Sequence, residues 1–264
     1  MTSRLRTLFP EPVAAKVPEV AAIFWALKLL TTAGGEALSD YLAFSGGSKV
    51  VGGAVEIVFL AVALVLQFRV RRYVAQIYWL LALAIGTSGT GIADVMHVVI
   101  GLPYAVTTVF WAVVLAAVFI VWNHYEHTLS IHSIVTTRRE IFYWATVMAT
   151  FALGTALGDF TATTLHLGYA GSILLFAVVI AIPAVAWRWF GLNAIVAFWA
   201  AYVVTRPLGA SVADYLSKPH ALSGANFGDL PTAILLIAAL AVLVAYVALT
   251  RSDIQPPESA AEFA

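Results

Sequence analysis

Long apolar stretches, each broken by a few small or polar residues, run through almost the whole chain. They fall near 19–43, 51–68, 74–97, 104–122, 140–166, 169–187, 192–216 and 231–250. A bilayer core takes about 20 apolar residues of helix, so the pattern predicts eight transmembrane helices and an all-α polytopic membrane protein. Gly/Ser or Gly/Pro punctuation separates the members of each pair: Ser45-Gly46-Gly47-Ser48, Gly101-Leu102-Pro103, Gly168 and Ser223-Gly224.

The first member of every pair carries the same motif. An aromatic-Trp dipeptide is followed after nine residues by Gly, and after four more by Asp. The instances are Phe24-Trp25, Gly35, Asp40; Tyr78-Trp79, Gly89, Asp94; Tyr143-Trp144, Gly154, Asp159; and Phe198-Trp199, Gly209, Asp214. Only six Asp occur in the chain, and four of them sit here. The chain is therefore four repeats of two helices. Asp-to-Asp intervals are 54, 65 and 55 residues. The longer middle interval reflects a polar loop that splits the chain in two. The expected organisation is a tail at 1–18, repeats one and two at 19–122, a linker at 123–139, repeats three and four at 140–250, and a tail at 251–264.

Composition sharpens this picture. Hydrophobic residues are 62% of the chain and charged ones 11%, and the mean hydropathy is +0.93; a soluble domain is about a quarter charged. A net charge of +0 argues against a nucleic-acid partner, and the lack of Cys excludes disulfides and thiolate metal sites. The start of the chain has no continuous apolar core or small-residue cleavage site, so it reads as a cytoplasmic tail and not a signal peptide. If that end is inside, the inside segments carry Arg4, Arg6, Lys16, Arg69, Arg71, Arg72, Arg138, Arg139, Arg188 and Arg251, and the outside ones only Lys49 and Lys218. The bias predicts both termini in the cytoplasm. Two spans per repeat then make the four repeats parallel, not inverted.

An acid inside an apolar span is costly, and is by default a functional candidate. Asp40, Asp94, Asp159 and Asp214 are the first candidates, for binding an ion; the plainer alternatives are headgroup anchors or a duplicated packing motif. Fifteen residues of helix rise about 22 Å, so Trp marks the inner and Asp the outer part of each motif helix. The Trp residues fit an interfacial belt or helix packing. Before each Asp lies a segment of small or helix-weakening residues, such as Gly86-Thr87-Ser88-Gly89-Thr90-Gly91 and Arg206-Pro207-Leu208-Gly209. These allow either close helix approach or local unwinding that frees carbonyl oxygens.

Glu36 lies four residues before Asp40 on the same helix face; Thr90, Thr155 and Ala210 hold its place in the other repeats. Glu56 is a further membrane acid. Lys28 and Arg206 are intramembrane cations, expected to compensate the acids by pairing or by moving as tethered charges. His97 and His166 are secondary candidates for an outer metal site. His124, His127 and His132 share the middle loop with Glu126, as metal ligands or as solvated residues. Glu19 and Glu140 open helices and suit cap or dipole positions. Signatures of hydrolases, zinc peptidases and phosphate-binding loops are absent, so no enzyme activity or cofactor is expected.

The repeated motif, together with Lys16-Val17-Pro18-Glu19, Thr128-Leu129-Ser130-Ile131-His132-Ser133-Ile134 and Arg206-Pro207-Leu208-Gly209-Ala210-Ser211, resembles bacterial multi-pass proteins described as uncharacterised membrane-anchored proteins. The likeness covers nearly everything from 16 to 218. It implies a bacterial inner-membrane location and brings no assigned activity.

The resulting expectation is a cation transporter or exporter. Carboxylates with hydroxyl and carbonyl oxygens are hard ligands that suit Mn²⁺, Mg²⁺ or Ca²⁺, with Mn²⁺ as first guess and protons as exchange partners. A scaffold or accessory subunit, and a carrier of a small organic solute, are the alternatives.

Overall fold

The computed structural model describes residues 10–45 and 47–255. Arg4, Arg6 and the distal parts of both expected tails lie outside the described residues. Eight long helices make up the fold: α1 (Ala22–Asp40), α2 (Lys49–Arg69), α3 (Ala75–Asp94), α4 (Tyr104–Glu126), α5 (Thr137–Asp159), α6 (Gly168–Phe190), α7 (Ala194–Ser217) and α8 (Asp229–Thr250). No strand occurs among the described residues. Seven of the eight are long and apolar enough to cross a membrane. The exception is α1, which carries Lys28, Glu36 and Asp40 and buries all three.

The odd helices form the centre. α1 packs on α3, α3 on α5, α5 on α7, and α7 returns to α1. Each even helix packs on the odd helix of the following repeat: α2 on α3, α4 on α5, α6 on α7 and α8 back on α1. The four repeats thus close a ring with approximate four-fold symmetry. The even helices form its outer shell, which is mostly exposed and apolar through residues such as Ile57, Val109, Val113, Leu174, Val178 and Leu235. An apolar skin of this extent is what lipid tails solvate.

Close approach at the motif glycines sets the ring's register. A Cβ on Gly35 would stand 2.8 Å from the Gly86 backbone, and one on Gly89 2.7 Å from Phe151 Cβ. One on Gly154 would strike the Arg206 stem, and one on Gly209 the Thr32 side chain. Gly86, Phe151, Arg206 and Thr32 each stand three residues before the motif glycine of their own repeat. All four odd helices therefore run the same way and meet their neighbour with the same offset, in small-residue contacts that let backbones approach.

The segments rich in small residues stay helical, Pro207 included. Of the two expected uses for them, close packing is the one observed. The backbone changes just beyond. Asp40, Asp94 and Asp159 are each the last α-helical residue before a π-helical turn: Tyr41–Ser45, Val95–Val99 and Phe160–Thr164. In the fourth repeat α7 continues as α-helix to Ser217.

The expected linker at 123–139 is shorter than its polarity suggested, because α4 runs to Glu126 and α5 starts at Thr137. Glu126 is held by Arg138 and Arg139, and His127 caps α4 in a left-handed conformation. Glu140 lies in the first turn of α5, where the side-chain cap is Thr136. It is buried, and Lys16 Nζ donates to it at 2.7 Å while Gln67 Nε2 donates at 2.8 Å. Burial pushes the Lys16 ammonium below the ordinary lysine range, with Glu140 working against that shift.

Candidate functional site

The interior of the ring is a stack of layers in which equivalent positions of the four odd helices face one another. At the end where the odd helices begin sit the motif aromatics. The Tyr78 and Tyr143 hydroxyls meet in a hydrogen bond, and the Phe24 ring lies 5.7 Å from Trp79 and 5.9 Å from Phe198. Trp79, Trp144 and Trp199 are buried here, so three of the four motif Trp are core residues and not a lipid-interface belt.

The next layer holds Lys28, Ala82, Val147 and Tyr202, all buried. Lys28 Nζ lies 3.8 Å from the centre of the Phe151 ring and 4.1 Å from that of Tyr202. Among the described residues it has no hydrogen-bond partner, so it does not make the pairing with the acids that was expected of it.

One turn outward come Thr32, Gly86, Phe151 and Arg206. The Arg206 side chain, fully buried, crosses the axis: Nη1 donates to the Thr32 carbonyl at 3.1 Å and Nε to the Phe151 carbonyl at 3.3 Å. Its Nη2 faces Glu36, Thr90 and, at 2.6 Å, Thr155. Glu36, Thr90, Thr155 and Ala210 are the following layer, and Thr90 Oγ1 also donates to Glu36 Oε2 at 2.8 Å. The Arg206–Glu36 ion pair and the two threonines fill the middle of the ring.

The four Asp form the last layer, at the opposite end of the odd helices. Carboxylate oxygens of Glu36, Asp40 and Asp214 lie within 4.8 Å of one another, the one such group of three among the described residues. Asp94 and Asp159 are half-buried and within electrostatic reach of Asp40, Glu36 and each other. The structure thus gathers all five primary carboxylates at one end of the ring, three of them closely.

Lys218 completes this end. Its ammonium lies 2.5 Å from Asp40, 3.3 Å from Asp229 and 4.0 Å from Asp214. Burial works against its charge, but Asp40, Asp214 and Asp229 outweigh it and hold the ammonium above the ordinary lysine range. Sequence reasoning assigned Lys218 only to an outer loop. Its spacing of four from Asp214 was the available signal.

The secondary candidates divide. Thr90 and Thr155 join the core network. Glu56, buried on α2, accepts from Ser39 Oγ at 2.6 Å and presses against Gly91, where a Cβ would collide with it. His97 pairs through Nδ1 with the Leu102 carbonyl at 2.8 Å and stacks on Tyr104; it is not in the carboxylate group. His166 is exposed in a left-handed conformation. His132 lies 3.7 Å from Glu19 across a groove of about 760 Å³ between α1, α6 and α7.

A family model described as a repeat of unknown function, DUF347, matches the chain four times, at 23–73, 77–128, 142–192 and 197–253. Each match takes in one odd helix and the even helix after it. No curated protein and no solved structure matches the chain.

Proposed function

The chain belongs to the DUF347 repeat family, and from that premise we propose that it is an inner-membrane cation transporter whose cargo is a divalent metal ion such as Mn²⁺. One observation carries this reading: the carboxylates of Glu36, Asp40 and Asp214 converge within 4.8 Å at the end of a ring of membrane helices. Three acids so close repel one another unless protons or cations sit between them. Carboxylate oxygens with neighbouring hydroxyls are hard donors that suit Mn²⁺, Mg²⁺ or Ca²⁺.

In this reading all eight helices span the bilayer, α1 being tolerated because its charges face the ring interior. Both termini are cytoplasmic, as the Lys/Arg bias argues, and the Asp layer opens outward. Asp94 and Asp159 supply additional negative field and attract the ion. Lys218 occupies the carboxylates between transport events and leaves when the ion arrives. Arg206 closes the axis beneath, so passage requires the Arg206–Glu36 pair to part.

The test is metal content in cells expressing the wild type or an Asp40→Asn/Asp214→Asn variant at equal membrane level, across Mn, Mg, Ca, Fe, Co and Zn. A change in one metal that the variant abolishes is expected. Unchanged content for every metal would sink the proposal.

A scaffold role is favoured by a separate observation: Glu36 and Asp40 each already have a cationic partner. It predicts that the variant loses stability and no metal phenotype. The organic-solute reading calls for a roomy cavity with a cation in it, and among the described residues the 760 Å³ groove is lined by Glu19 and His132 but by no Lys or Arg.

A further inference from the structure

Two equivalent places on the wall of the ring are filled differently. On α4, Phe119 and Trp122 stand 40 and 43 residues after the motif Trp of their repeat, and on α6 the same places hold Ala184 and Trp187. Two residues before the motif Trp of the following repeat stands Phe142 in the first case and Ala197 in the second. Trp122 is fully buried, stacked 6.3 Å from Phe142 and edge-on to Trp199 at 5.7 Å, with Phe119 5.1 Å from the same Trp199 ring. Trp187, by contrast, is 55% exposed. Alanine in place of both phenylalanines removes the rings that would cover the seam between α7 and α1. The groove of about 760 Å³ lies there, lined by Ala184, Ala197 and Trp187 with Trp25 and Leu29 of α1 and Phe198 of α7. Trp25 is accordingly the motif Trp that stays half-buried.

The shape and chemistry of the groove specify an occupant. α6 and α7 are among the helices long and apolar enough to cross a membrane, so in a bilayer the groove faces acyl chains. From Asn193 at its mouth to Thr205 at its far end, α7 rises about 18 Å, close to the ~15 Å of hydrocarbon in one leaflet. Polar groups gather at the mouth. Asn193 Oδ1 is occupied there, accepting from the Ile195 and Val196 amides as the cap of α7. Glu19 is 34% exposed in its side chain, and its Oε2 accepts no hydrogen bond among the described residues. His132 Nε2 stands 3.7 Å from that oxygen, beyond hydrogen-bond range. An anionic headgroup would meet this carboxylate with no Lys or Arg among the described lining residues to hold it. A quaternary ammonium has no N–H to donate. A primary ammonium supplies both the opposite charge and the donors.

We propose that this groove binds one bilayer phospholipid with an ethanolamine headgroup. One acyl chain lies along α7 between Trp25 and Trp187, and the headgroup ammonium donates to the Glu19 carboxylate. The lipid takes the place that Phe119 and Phe142 fill beside Trp199, and so completes the wall at the joint where the ring closes. This site stands apart from the cation reading, because it requires only that these helices lie in a bilayer.

The full chain is inserted into vesicles of equal parts phosphatidylethanolamine, phosphatidylglycerol and phosphatidylcholine and extracted in mild detergent. Mass spectrometry then gives the lipid retained per chain. Phosphatidylethanolamine is expected to be enriched at least three-fold over the vesicle ratio on the wild type. Glu19→Gln should bring that ratio back to the vesicle value while lipid is still held. Ala184→Phe restores the ring present at the equivalent place on α4 and should lower retained lipid several-fold. Ala184 is exposed, so the added ring is not forced into the core, and Glu19→Gln carries the test if that variant folds poorly. Added phosphatidylethanolamine should also raise the unfolding midpoint of the wild type in detergent, and not that of Ala184→Phe. Retained lipid at the vesicle ratio, enrichment of phosphatidylglycerol, an Ala184→Phe profile equal to wild type, or a dimer whose contact buries the groove would overturn the proposal.

Discussion

Lys218 Nζ lies 2.5 Å from Asp40 Oδ2, joining residues 178 positions apart. The lysine follows α7 of the fourth repeat and the acid ends α1 of the first, so the contact exists only because the ring closes. It also places a tethered cation among the carboxylates where a metal ion is proposed to bind.

Replacing Lys218 should therefore act in two directions. Lys218→Met is expected to raise Mn²⁺ affinity several-fold, since the ion no longer displaces a bound ammonium. The same change should lower the unfolding midpoint in detergent by about 2–4 °C, equivalent to roughly 1 kcal/mol for a chain of this size. Isothermal titration and thermal scanning of one preparation measure both. Unchanged affinity would mean that the ammonium does not compete for the carboxylates.

The ammonium of this pair should keep its charge over the physiological range. Asp40, Asp214 and Asp229 hold the folded-state ammonium above the ordinary lysine value of 10.5. A raised folded-state value gives stability that is fully present below the unfolded value and is lost as pH rises through the folded one. The difference in midpoint between wild type and Lys218→Met should stay constant from pH 7 to 9 and shrink only in strong alkali. A difference that already fades at pH 8 would contradict the contact.

Arg206 and Glu36 are expected to be strongly coupled. Arg206→Met leaves Glu36 buried without its cation, which typically costs about 3–5 kcal/mol. The double variant Arg206→Met/Glu36→Met should recover much of that loss. A double-mutant cycle on the unfolding midpoint reads the coupling, and strict additivity would mean that the pair does not interact.

The motif glycines should tolerate no side chain where backbone faces backbone. Gly35→Ala forces a Cβ against the Gly86 main chain, where no rotamer offers relief, and should cost about 1–3 kcal/mol as overpacking. Gly53→Ala meets nothing within 4 Å and should be neutral or slightly stabilising, because Ala favours helix. Size-exclusion profiles after graded heating separate the two outcomes.

Much of this architecture is legible in local pattern. Apolar runs of span length mark the helices, and their ends agree with the structure to within a few residues. The Trp–Gly–Asp spacing exposes the repeats, and the cost of an acid in an apolar helix singles out Asp40, Asp94, Asp159, Asp214 and Glu36. Other features leave no local trace. The π-helical turns after Asp40, Asp94 and Asp159 occur in sequences as different as Tyr41–Ser45 and Val95–Val99. Lys28 and Arg206 look alike as intramembrane cations, yet one is enclosed by aromatic rings and the other is paired.

The sequence by itself determined the helices, the four-fold repetition and the position of each charged residue along its helix, because periodicity, span length and the cost of burying charge act within one segment. Only the tertiary structure decided that the repeats ring a single axis instead of pairing off. It alone decided that each motif glycine meets the next repeat and that Lys218 reaches Asp40. Those outcomes rest on packing between helices that belong to different repeats, and equivalent sequences in all four repeats contain no information on which neighbour each one will choose.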